Sequence, residues 1–236
     1  MALTDRDARE PAASDERHRP AVYAWAMGPS RRSPVAHLEA HERRQLLEDL
    51  NYLNLAEIRS FCTAHSIPRV IHIEAASGER RKTKETDRKS VVLERVRHYL
   101  KTGRVPDPTC FPAKVVWSGS ARRGKLKPSD RLYYGTYDKH DPEMLRVLES
   151  LTDGRFRSGA VARILCREFW TDGQAPTFAQ FAKAWLRAND GDLVADHPEA
   201  AYLTDRARGE AGPDWKAKRQ RIARRVLKVL DSIPPP

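Results

Sequence analysis

The chain has 236 residues, 40% hydrophobic and 32% charged, enough for one large or two small domains around a modest core. Its 43 Lys and Arg against 32 Asp and Glu leave a formal charge of +11, which favours a polyanionic partner over a neutral one. No apolar run approaches the roughly 20 residues of a membrane-spanning helix. The cysteines Cys62, Cys110 and Cys166 are odd in number and far apart, so a disulfide framework is excluded as well.

The positive charge is gathered into three stretches. Arg69–Arg104 holds eleven basic and five acidic residues, Lys114–Arg131 six and one, and Pro213–Pro236 seven and two. The remainder is net acidic. This segregation points to basic surfaces with a task, although any one stretch also fits a solvated helix face. Unpaired thiols fit a reducing compartment, and no apolar h-region marks a secretory signal. The expected location is cytoplasmic, with nucleoid association in a bacterial cell.

In chain order, residues 1–33 read as a disordered tail rich in Ala, Arg, Asp, Glu, Pro and Ser. Its one apolar island is Ala21–Met27, which suits local packing better than a dedicated partner motif. Val35–Leu50 reads as a helix with Leu38, Leu46, Leu47 and Leu50 on one face. Asn54 is a candidate N-cap for a helix over Leu55–His65, whose stripe is Leu55, Ile58, Phe61 and Cys62. Pro68 forbids its continuation. Val70–Glu74 is β-branched and extended, and Ala75–Asp87 reads as a mobile basic loop. Asp87 is placed to cap a helix over Arg88–Lys101, with Val92, Val96, Tyr99 and Leu100 on its stripe and Gly103 as its stop.

Four prolines between positions 106 and 128 mark a basic linker over 105–130, with Val115-Val116-Trp117 as a short docking patch. Leu132–Tyr137 is aromatic and extended. Asp141-Pro142 opens a helix over Pro142–Leu151. Further helices are expected over Ser158–Trp170, Thr177–Asn189, more weakly Pro198–Arg206, and Pro213–Ile233. The last carries Trp215, Ile222, Val226, Val229, Leu230 and Ile233 on one stripe, with seven Lys and Arg elsewhere. Three roles stay open for it: phosphate contacts, an acidic protein partner, or simple cover for the second domain, with membrane-surface binding ranked low.

Two of these segments resemble a SAP domain, the small helix–extended–helix module of DNA-associated proteins. The first half of the pattern falls on Leu53, Leu55, Glu57-Ile58-Arg59, Phe61-Cys62 and Ser66-Ile67-Pro68. The second falls on Lys89, Val91-Val92-Leu93, Glu94-Arg95 and Val96. Val91 replaces the family's usual acid, and Arg69–Arg88 replaces a link of a handful of residues. The resemblance covers about fifty residues. Phe178, Phe181, Trp185-Leu186, Asn189 and Gly191 more faintly resemble an uncharacterised helical domain that follows SAP-like modules in bacterial proteins.

The expected architecture is therefore mainly α. A disordered tail over 1–33 precedes a SAP-like module over 34–104, the linker over 105–130, and a helical domain of unknown role over 131–233. The resemblance implies DNA binding through backbone contacts, with a lean toward AT-rich duplex. Arg80, Arg81, Lys82, Lys84, Arg88 and Lys89 are the candidate contacts at the basic loop and helix start, where free N–H groups also favour phosphate. Arg95 is a further candidate, balanced against pairing with a carboxylate. Glu57 and Arg59 are structural or solvent-facing.

Cys62-x-x-His65 has ligand-like spacing, but Cys62 lies on the core stripe and zinc sites show two tight ligand pairs, so no metal is expected. Asp138, His140 and Asp141 are explained as turn and cap residues. No phosphate-cradling glycine loop, nucleophile elbow or paired-histidine zinc motif is present. The expectation is a non-enzymatic double-stranded-DNA-binding protein without a cofactor. The alternative is a protein-interaction module whose hairpin and C-terminal helix bind an acidic protein.

Overall fold

The structure is a computed structural model that describes residues 32–119, 125–191 and 214–235. The Ala21–Met27 island, nearly all of the expected disordered tail and the candidate helix Pro198–Arg206 lie outside the described residues. The described chain is mainly α, with a small three-stranded sheet. Among the described residues no helix is long and apolar enough to cross a membrane.

The first core is built on three helices, α1 (Ala40–Asp49), α2 (Arg59–Ala64) and α3 (Lys89–Thr102). Helix α1 starts at Ala40, five residues later than Val35 would place it. Glu39 N–H donates to Glu42 Oε2 at 2.9 Å in a capping box, while 34–37 form turns. Asn54 and Glu57 exchange hydrogen bonds, Glu57 N–H to Asn54 Oδ1 and Asn54 N–H to Glu57 Oε2, each at 2.8 Å, but around a turn over 55–58. Helix α2 itself starts at Arg59 with Ile58 at its N-cap, four residues later than Leu55 would place it. Gly103 ends α3 at φ 68°, a left-handed conformation costly to residues with a Cβ. Leu50, Leu53, Ile58, Cys62, Val92, Val96 and Leu100 are fully enclosed between these helices.

The C-terminal helix departs from expectation. Numbered α7 here (Trp215–Asp231), it lays Ala223, Val226 and Leu230 into the first core, not onto the domain that precedes it in sequence. Arg219 pairs with Glu57 and donates to Tyr52 O at 2.9 Å, and Arg225 pairs with Asp49. Two of its arginines therefore fasten it to the N-terminal helices, and the expected unit over 131–233 does not include it.

The basic segment expected to be a mobile loop is a strand. Strand β1 (Val70–Glu74) turns through Gly78, at φ 82°, into β2 (Arg80–Thr86), and β3 (Cys110–Phe111) runs parallel to β1 on its other side. The sheet order is β2-β1-β3, which leaves β2 as an edge. Ile71 and Phe111 turn into a second core that also holds Val115 and Leu126. The expected linker over 105–130 is thus packed where it is described. Around it lie α4 (Pro142–Ser150), α5 (Ala160–Thr171) and α6 (Phe178–Asp190). Asp141 caps α4 by accepting from Glu143 and Met144 N–H, and Thr177 caps α6 with Gln180 in a second capping box. The expected extended segment 132–137 reduces to isolated bridges at Arg131 and Tyr134, and Leu132 O accepts from Trp170 Nε1 at 3.0 Å.

One buried ion pair ties these parts together. Arg95, 1% exposed, donates from Nη1 to Asp87 Oδ2 at 2.7 Å and to Pro68 O at 2.9 Å, and from Nη2 to Thr109 Oγ1 at 2.7 Å. Asp87, expected to cap α3, sits one residue before the observed N-cap Arg88 and spends its carboxylate on this pair. Arg95→Met leaves that buried carboxylate without a counter-charge and should cost about 3–5 kcal/mol. Urea unfolding followed by tryptophan fluorescence measures the loss, and Asp87→Asn in the same chain should recover part of it.

A second buried polar group sits at the junction of α2, α3 and α7. His65 Nδ1 lies 2.9 Å from the Tyr99 hydroxyl, and its ring packs 4.2 Å from Phe61. Burial pushes the His65 pKa below the ordinary 6.5, against a smaller upward pull from the Ile233 backbone. The fold therefore favours neutral His65. Its contribution is complete above the unfolded value and is lost as pH falls through the folded one. His72 and His98 shift the same way. The melting temperature should fall between about pH 7.5 and about pH 5, and His65→Gln should reduce that slope without abolishing it.

Candidate nucleic-acid interface

Antiparallel pairing decides where the basic residues point. His72 stands opposite Lys82, Ile73 opposite Arg81 and Glu74 opposite Arg80. Paired residues share a face and successive ones alternate. Ile73 packs on the second core, as do the partners of Glu85: Tyr134 Oη donates to Glu85 Oε1 at 3.2 Å, and Arg167 reaches its Oε2 at 3.3 Å. The opposite, outer face therefore carries Arg80, Lys82 and Lys84, all exposed, with His72, Glu74 and Cys110 beside them. Among the described residues no carboxylate lies within ion-pair distance of those three cations.

The other four candidates are placed differently. Arg81 projects from the inner side of the edge strand and donates to Glu79 at 2.8 Å. Arg88, at the N-cap of α3, reaches Glu168 at 3.5 Å and so links α3 to α5. Lys89 Nζ donates to Asn51 O at 2.6 Å, closing the start of α3 against the end of α1. Arg95 is buried under the sheet and cannot reach a surface ligand, so it leaves the contact set. The helix start is a joint of the fold, and the cationic surface is the strand that precedes it.

Two further residues complete that surface, and the linear sequence did not single them out. Arg69, half-buried, sits between Pro68 and β1, with its guanidinium 3.5 Å from Thr63 Oγ1. His72 is half-buried, and its pKa is lowered first by burial and then by the charges of Lys82, Arg80 and Arg95, with Asp87 opposing them. Burial and these neighbouring charges both disfavour the imidazolium form of His72. The readable signal was the pairing itself, because a β-branched strand, a glycine turn and a following run of alternating cations make a hairpin.

The motifs weighed for chemistry resolve into structure. Cys62 is fully buried and its thiol is pushed up to about 12 by that burial, while His65 engages Tyr99. Among the described residues no group of three or more His, Cys, Asp or Glu side chains stands close enough to hold a metal ion. Asp138 Oδ1 accepts from His140 N–H at 2.9 Å within a turn, and Asp141 is the cap of α4. Comparison with protein-family models, with curated proteins and with solved structures gives no match to this chain.

Proposed function

We propose that the protein is a non-enzymatic, double-stranded-DNA-binding protein that grips the phosphate backbone with the outer face of the β1–β2 hairpin. The observation that carries this is the row Arg80, Lys82 and Lys84 on one face of an edge strand, without carboxylate partners among the described residues. Cations that form no ion pair with the protein's own carboxylates are free to displace counterions from DNA, which is the main driving force of backbone binding. The α2–α3 pair keeps the offsets that resemble a SAP module, and the hairpin occupies the place of that family's short link. In this proposal the helices hold the hairpin and the hairpin makes the contact. The lean toward AT-rich duplex rests on the SAP resemblance alone, because phosphate contacts do not select sequence.

Binding to a duplex oligonucleotide should weaken as salt rises. Three phosphate contacts give a slope of log K against log salt of about −2.7. Fluorescence anisotropy at several salt concentrations reads that slope. The combined change Arg80→Glu, Lys82→Glu and Lys84→Glu should abolish binding while leaving the unfolding transition in place, because all three side chains are exposed. Affinity indifferent to both salt and charge reversal would rule the proposal out.

A further inference from the structure

Beside Lys82 the surface sinks into a groove of about 550 Å³ between the turn that ends α2 and the segment 105–108. One wall carries the Thr63 and Ser66 side chains with Arg69, the sheet side carries His72 and Lys82, and the far wall is Val105. Val105 is 41% exposed, unusual for a large apolar side chain in this structure. Behind the floor lies Arg95, neutralised by Asp87, so the groove's positive charge comes from Arg69 and Lys82. Its one carboxylate, Asp107, is exposed at the rim.

Such a groove holds donors, fixed positive charge and an apolar strip side by side. A phosphodiester with its sugar meets all three: the phosphate oxygens take the cations and hydroxyls, and the sugar face lies on the valine. An acidic peptide would use the charges and leave the valine wall without a matching surface. We infer that this groove seats one phosphodiester of the bound strand between Arg69 and Lys82, with its sugar against Val105, extending the hairpin's contact toward α2. The inference rests on the DNA-binding proposal above and adds to it a specific seat outside the hairpin row.

The test uses the full chain and a short mixed-sequence duplex. Arg69→Gln should reduce the salt slope by about 1, the mark of one lost phosphate contact. Val105→Asp places a negative charge on the wall without touching a buried residue and should weaken duplex binding by about tenfold. Val105→Asn, polar but neutral, should weaken it far less. The imidazole of His72 faces Lys82, Arg80, Arg95 and Asp87, so its titration followed by NMR should move to higher pH when the duplex binds. Unchanged affinity and salt slope in Arg69→Gln and Val105→Asp, with binding still abolished by the hairpin triple reversal, would overturn the groove and leave the DNA-binding proposal standing. Failure of the unaltered protein to bind duplex at low salt would overturn both. A polyglutamate peptide displacing the duplex at equal charge concentration would overturn the assignment of the groove to nucleic acid.

Discussion

The Arg95–Asp87 pair is the constraint on which the rest of the arrangement depends. Arg95 belongs to α3 and therefore to the first core, while Asp87 closes β2 and Thr109 leads into β3. One guanidinium thus joins the helical module, both flanks of the sheet and the turn at Pro68. A buried ion pair is a weak source of net stability, because desolvation offsets much of the attraction. Its value lies in directionality. A guanidinium has donors in a fixed plane, and satisfying those on Nη1 and Nη2 requires that Asp87, Thr109 and Pro68 all be in place, while the buried Nε finds no partner among the described residues. Apolar packing alone would let the hairpin slide against α3, whereas this network admits one register.

That register explains how two apolar cores communicate. The hairpin interrupts what resembles a compact helical module, yet Ile71 and Ile73 face the second core and not the first. The insertion is therefore the sheet against which α4–α6 pack, with Phe111 tilted against Tyr134 and edge-on to Trp170 at ring distances of 5.0 and 5.7 Å. Further ties run the same way, from Arg88 to Glu168 and from Glu85 to Tyr134 and Arg167. Exposed pairs of this kind contribute little individually. Here they lie around an edge strand whose backbone is paired on one side only, and they hold its inner face against the aromatic cluster while the outer face stays open.

Much of the helical frame was legible because it follows local rules. The stripe of α3, its glycine stop and the Asp141 cap are decided within a few residues of chain, and the structure reproduces them. What was hidden depends on distant partners. The segment RRKTKET has no apolar alternation, so nothing in it marks a half-buried strand. It becomes one because β1 offers a backbone ladder and Gly78 permits the reversal. The stripe of α7 was readable, but not which core it would cover, since an apolar face says nothing about its partner. Arg95 carried a visible warning: it falls three residues after Val92 and four before Tyr99, on the buried side of its helix. A charge at that position predicts a buried partner, and Asp87 was the nearby acid already assigned to capping. Arg69 and His72 joined the candidate surface only once the pairing of β1 with β2 was fixed.

An edge strand that carries arginine and lysine satisfies two demands with the same residues. Unpaired strand edges invite other strands, and charge along the edge is a common protection against self-association. Protection alone needs only one or two charges at any position. Here the cations recur at alternate positions on one face, Arg80 and Lys82 with Lys84 beyond them, and the inner positions Thr83 and Glu85 turn toward Tyr134. Alternate residues on a strand lie about 6.7 Å apart. A strand thus displays its cations in one straight row, whereas the same-face rows of a helix curve away. Position on the sheet, more than the amount of charge, is what separates this basic run from α7, where Arg219 and Arg225 are consumed in holding the helix to Glu57 and Asp49.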